Sequence, residues 1–162
     1  MSRRASSSFS ALVFALALAA ACTPANAPTA GSLDPSAPVI VPNKVAGDGE
    51  VRFTVRPRYT AGSAVAIELD IRAGTLQIIG PLSGAIFYSA APGPEQVARR
   101  LDAAQLPGVD VQPGKSAHAT ITWDGKYETG EFVGAGTYSL ALDFIVGGDV
   151  KRLGTVVQIA AR

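Results

Sequence analysis

The chain has 162 residues, 14 Lys and Arg against 13 Asp and Glu, one Cys and one His. So even a balance gives no long-range pull toward nucleic acid or an anionic membrane surface, and no nucleic-acid partner is expected. A single Cys excludes an internal disulfide, and one Cys with one His argues against an all-protein zinc site, so neither metal nor cofactor is expected.

Residues 1–22 have three parts. Arg3 and Arg4 form a short positive region, Ala11 to Ala21 is an unbroken apolar run, and small residues lead to Cys22. This is the layout of a secretory signal peptide, and the run is too short for a stable membrane span. The segment Leu18-Ala19-Ala20-Ala21-Cys22 resembles the bacterial lipobox, with its Leu one position further from the Cys than usual. The resemblance implies lipidation at Cys22, a membrane link through an N-terminal lipid anchor, and an exported cell-envelope lipoprotein. Several acyl chains would make that anchoring stable. Thr23, rather than Asp, after the Cys points toward the outer membrane or cell surface. The competing reading is ordinary cleavage after Ala25-Asn26-Ala27, with Pro28 following the cut.

Residues 23–44 carry Pro at 24, 28, 35, 38 and 42 and little charge. Such a segment cannot bury a core and is expected to be a flexible, extended tether. Its one apolar patch, Val39-Ile40-Val41, either starts the first strand or packs on a domain edge.

From Val45 onward the apolar period becomes two. Val51, Phe53 and Val55 alternate with Arg52, Thr54 and Arg56; Val65, Ile67, Leu69 and Ile71 alternate with Ala66, Glu68, Asp70 and Arg72. Both read as half-buried antiparallel strands. Ala73-Gly74 then predicts a hairpin into residues 75–79, and residues 85–89 predict another short strand. Residues 92–105 differ: Glu95, Val97, Ala98, Leu101 and Ala104 have helical spacing, so a short helical crossover is expected. Strands resume at Ala117, Ala119, Ile121 and Trp123, and again at Tyr138, Leu140, Leu142, Phe144 and Val146. Gly147-Gly148-Asp149 turns into a last strand, residues 151–160. The fold class is therefore all-β, an antiparallel β-sandwich of about seven to eight strands over residues 45–162; a small barrel is the rival.

The most specific stretch runs from Trp123 to Tyr138: Trp123-Asp124-Gly125, then Gly130, then Gly136-Thr137-Tyr138. Trp123 can cap a core with its ring, Asp124-Gly125 begins a tight turn, and Tyr138 starts the next strand facing inward. This pattern resembles the signature of bacterial immunoglobulin-like (Ig-like) modules. Two relatives share it: the Ig-like domain of flagellar hook-capping (FlgD-type) proteins and the BsuPI-type intracellular proteinase inhibitor domain. Gly134 stands where that family usually has Pro. Val111-Gln112-Pro113-Gly114-Lys115-Ser116 adds to the BsuPI-like resemblance. The resemblance implies an Ig-like sandwich that binds a protein partner in the envelope. Proteinase inhibition is the alternative, with a protease as partner and the connection from Ala90 to Pro107 as the candidate inhibitory segment.

Three clusters carry side chains with chemical potential. Asp124, Glu128 and Glu131 offer oxygens for Ca²⁺, but their spacing fits no EF-hand and the turn already explains Asp124. His118 could serve as a base beside a Ser and an acid, but no Gly-x-Ser-x-Gly elbow accompanies it, so a solvated strand His is expected. Arg52, Arg56 and Arg58 read as one strand face, poised for an anion or for charge pairing with Glu68 and Asp70. No catalytic residue is expected. A pocket gathering His118 with carboxylates and a nucleophile would overturn that.

Overall fold

The computed structural model describes residues 36–88 and 94–162. The leader, Cys22 and the tether as far as residue 35 lie outside the described residues, as do Pro92 and Gly93 of the expected crossover. Ten strands occur among the described residues: β1 (Val39–Val45), β2 (Gly49–Val55), β3 (Tyr59–Thr60), β4 (Val65–Arg72), β5 (Ile78–Tyr88), β6 (Gln96–Leu101), β7 (Val109–Val111), β8 (Ser116–Trp123), β9 (Gly136–Val146) and β10 (Asp149–Ala160).

They form two sheets. The first has the order β1-β2-β4-β8; the second has the order β3-β10-β9-β5-β6, with β7 also paired to β5. All pairings are antiparallel except β3 with β10. The inward residues of both sheets share one core, an arrangement of β-sandwich type. Alternation explains why. Along β4, Val65, Ile67, Leu69 and Ile71 are buried while the residues between them are exposed. β9 buries Tyr138, Leu140, Leu142, Phe144 and Val146. Full burial of side chains such as Phe53, Ile67 and Leu142 stabilises by ~1.5–3 kcal/mol each. The β9–β10 connection turns through Gly147 and Gly148, both at positive φ.

Two expectations are corrected. No helix forms between residues 94 and 105; residues 96–101 are strand β6, paired to β5. The register passes from Phe87↔Val97 to Ile86↔Arg99, so Ala98 is the extra residue of a β-bulge. The bulge turns Ala98 inward together with Leu101, and two buried residues three apart imitate a helical stripe. Second, the strand after Ala73-Gly74 does not fold back on β4. The chain crosses to the other sheet, where β5 pairs with β9, β6 and β7. At the crossing Thr75 N donates to Gly47 O at 2.6 Å. A Cβ on Gly74 would lie 1.8 Å from that same oxygen, so only glycine lets the two segments pass. The patch Val39-Ile40-Val41 starts the first strand, one of the two outcomes expected of it.

Candidate functional site

Between Trp123 and Tyr138 the chain forms a loop that is bonded mainly to itself. Trp123 ends β8 fully buried, and its indole N–H donates to Lys126 O at 2.9 Å. Asp124 Oδ1 accepts from Lys126 N at 3.1 Å, which is the expected Asp turn. Gly125 sits at φ +71°, and a Cβ there would come within 2.6 Å of Ser63 O. Gly130 N donates to Tyr127 O, and Val133 N donates to Gly125 O, closing the loop. Gly136 opens β9 under the Tyr88 ring, and Thr137 Oγ1 donates to Gln158 Oε1 at 3.1 Å. Tyr138 packs its ring against Trp123 and Tyr88, with centroids 5.5 and 5.2 Å apart. Its hydroxyl donates to Gly134 O at 3.0 Å and lies 3.3 Å from the Tyr127 hydroxyl. Burial, and then the Tyr127 hydroxyl, push the Tyr138 phenol well above its ordinary value of 10.0.

The three acidic residues of this loop do not converge. Asp124 serves the turn, Glu128 Oε1 accepts from Arg100 N at 2.6 Å, and Glu131 gives its backbone carbonyl to Tyr127 N. Among the described residues no group of three or more His, Cys, Asp or Glu side chains is placed to hold a metal ion.

The ionic side chains gather on the outward face of the first sheet. Register places Arg52, Asp70 and His118 in one row across β2, β4 and β8; Lys44, Glu50, Arg72 and Ser116 form the row beside it. All of these except Lys44 border an open recess of about 430 Å³. Glu50 occupies an outward position yet exposes only 5% of its side chain. It is bonded by Arg52 at 3.1 Å and Lys44 at 3.2 Å. Those bonds, Arg52 first, hold its carboxyl below the usual 4.5. His118 Nδ1 meets Asp70 Oδ1 at 2.8 Å, with both side chains 57% exposed. The Asp70 carboxylate raises the imidazole above its ordinary 6.5.

The recess thus contains a His, carboxylates and a Ser. His118 does touch Asp70. Glu50, however, is tied to its own cations, and Ser116 makes no hydrogen bond to His118. Ser116 sits two residues along the same strand face, a step of roughly 7 Å. What the face offers is a flat array of alternating charges, suited to contacting another molecule. Arg56 and Arg58 follow β2 rather than lying on its face, and neither borders the recess. Glu50, Arg72 and Ser116 were missed from sequence; the outward parity of β2, β4 and β8 was the signal that could have found them.

A smaller recess of about 290 Å³ lies on the second sheet, bordered by Ser83, Asp143 and Arg152 among others. Asp143 accepts from Arg152 at 2.8 Å and from Ser83 at 2.6 Å. These bonds, Arg152 first, hold its carboxyl below the usual 3.8.

No protein-family model matches this chain, and no curated protein matches it. Among solved structures, it is similar to a β-glucosidase from Listeria innocua in complex with glucose, at 15% identity and a TM-score of 0.37. The match covers 68% of this chain but 16% of that one. A likeness so distant carries no argument about what this chain does.

Proposed function

We propose that this chain is an exported lipoprotein anchored through Cys22, whose Ig-like domain binds a protein partner in the cell envelope and performs no catalysis. One observation carries this reading: the polar side-chain atoms of Trp123, Asp124 and Tyr138, the anchors of the most specific stretch, are spent on their own loop. Trp123, Asp124 and Tyr138 all bond backbone groups within residues 123–138. The motif is then a device for folding, and recognition falls to the outer surfaces and edges.

Two features support the Ig-like assignment. β4 and β8 share one sheet while β5, β9 and β10 share the other, the division of strands B and E from C, F and G in an Ig sandwich. At the start of β9, the Tyr138 hydroxyl bonds a backbone carbonyl four residues upstream, as a tyrosine corner does.

The leader supports export and anchoring. Labelling cells with a fatty-acid analogue tests the anchor: the chain should take up label, and Cys22→Ser should not. Photo-crosslinking in envelope fractions tests the interaction. Recovery of the unlabelled chain in the cytoplasm, with no crosslinked partner, would sink the proposal.

Proteinase inhibition is the second reading, favoured by one turn. Asp102 Oδ1 accepts from Ala104 N at 3.0 Å and Gln105 N at 3.1 Å, while Gln105 Oε1 accepts from Asp102 N at 3.1 Å. This exposed turn is held firmly, as an inhibitory segment must be. Incubation with a panel of secreted proteases tests it; undiminished proteolysis at micromolar domain would remove it.

A further inference from the structure

The flank where β1 faces β10 has properties that the motif and the charged recess do not use. β10 pairs with β9 from Asp149 to Ile159, but on its other side, among the described residues, only Ile159 and Ala160 have a strand partner, β3. The Gly154 carbonyl points to that open side, where it accepts from Asn43 Nδ2 at 3.3 Å. Alternate residues of an antiparallel strand turn their N–H and C=O groups the same way. Arg152 and Val156 therefore share the orientation of Gly154, and neither has a strand partner on that side among the described residues. This is an open strand edge.

Beside the edge lies a recess of about 420 Å³, bordered by Val39, Gly154, Thr155 and Val156 among others. Val39, Ile40 and Val156 are 46%, 60% and 50% exposed. Thr155 is only 6% exposed, yet its hydroxyl has no hydrogen-bond partner. Buried polar groups are nearly always paired, so an orphaned hydroxyl lining a recess points to a missing partner. The gap at Gly154 is fixed by close packing, because a Cβ there would lie 2.3 Å from Leu140 O.

We infer that this seam docks a short, extended, uncharged segment of a partner polypeptide, which adds as a strand to β10 between Arg152 and Val156. The segment covers Val39 and Val156 and brings a hydroxyl or amide to Thr155. This is strand addition, in which main-chain bonds give affinity and alternate side chains give selectivity. A second copy of β10 does not fit the edge. Its strand and hairpin would run on into Tyr59 and Thr60, which already hold the far end. The inference deepens the interaction reading above and rests on it for its biological meaning.

The test uses residues 33–162, which form one compact unit, and a capped heptapeptide Ser-Thr-Val-Thr-Val-Thr-Ser as probe. In an NMR titration the amides of Arg152, Gly154 and Val156 should shift saturably and exchange at least tenfold more slowly. Val156→Lys should weaken binding tenfold or more, while Thr120→Lys, on β8, should leave it unchanged. Val156 is exposed, so its variant should keep the remaining spectrum. Shifts confined to another edge, indifference to Val156→Lys, or no saturable shift at millimolar peptide would each overturn the inference. The two ideas can fail separately. Peptide binding here without any envelope partner would sink the interaction reading alone. A partner crosslinked only through the charged face, with no peptide bound here, would sink the groove alone.

Discussion

Trp123 donates its indole N–H to the carbonyl of Lys126, three residues further along the chain, at 2.9 Å. Strand β8 thus ends by folding the following loop back over its own last residue. The same residue anchors the core, where its ring meets that of Tyr138.

Trp123→Phe keeps an aromatic ring but removes that donor and leaves a gap. Destabilisation of about 2–3 kcal/mol is expected, from the unmet Lys126 carbonyl and the lost volume. Urea unfolding checks it: the midpoint should fall with little change in slope. A change under 0.5 kcal/mol would mean the loop is not held by this bond.

Tyr138 makes the stability dependent on alkali. Its phenol loses a proton less readily in the folded chain than at the ordinary value of 10.0. The folded state therefore holds more protons than the unfolded state above that pH. The stabilisation is complete below pH 10.0 and is lost progressively as pH rises beyond it. Tyr138→Phe is expected to cost about 1–2 kcal/mol at neutral pH and to flatten this alkaline decline. Thermal melts between pH 8 and 11 test both effects.

His118 supplies a second titration. Its pKa is raised by Asp70, so the pairing contributes in full below pH 6.5 and fades as pH rises through the elevated value. With both side chains largely in water, the effect should be clear by NMR and small in stability. Asp70→Asn should return the imidazole toward 6.5. An unchanged titration in that variant would show that the pair does not persist in solution.

Two glycines of the loop separate conformation from space. Gly125 and Gly130 both sit at positive φ, but only at Gly125 would a Cβ strike backbone, at Ser63 O. Gly130→Ala is expected to cost about 1 kcal/mol, and Gly125→Ala about 2–3 kcal/mol because steric displacement adds to backbone strain. Equal losses for the two variants would contradict the close approach to Ser63.

The alternating strands were legible because one face is dry and the other wet. Phe53, Leu69, Ile121 and Leu140 could each be assigned to the core from residue spacing. β6 was not legible, since the bulge at Ala98 gives two buried residues helical spacing. β1 was obscured by Pro42 and by lying in proline-rich sequence. Its pairing with β2 leaves Val39, Ile40, Pro42 and Lys44 exposed, so the apolar pattern is weak. At the charged recess, the residue types could be read but not the partners. Arg52 chooses Glu50 on its own strand, and Asp70 chooses His118 from a strand 48 residues away. That choice depends on which strands become neighbours, which composition and period do not encode.

The position of β1 also has a mechanical meaning. Among the described residues it is the first strand and pairs with β2 alone, and Val39↔Val55 is the pair furthest from the hairpin turn. A pull from the N-terminal side loads that pair first, so the ladder would open one rung at a time, like a peeled tape. Asn43, reaching across to Gly154, stands midway along that path as a catch. The layers built from β4, β8, β9 and β10 would feel the load only after β1 had come away.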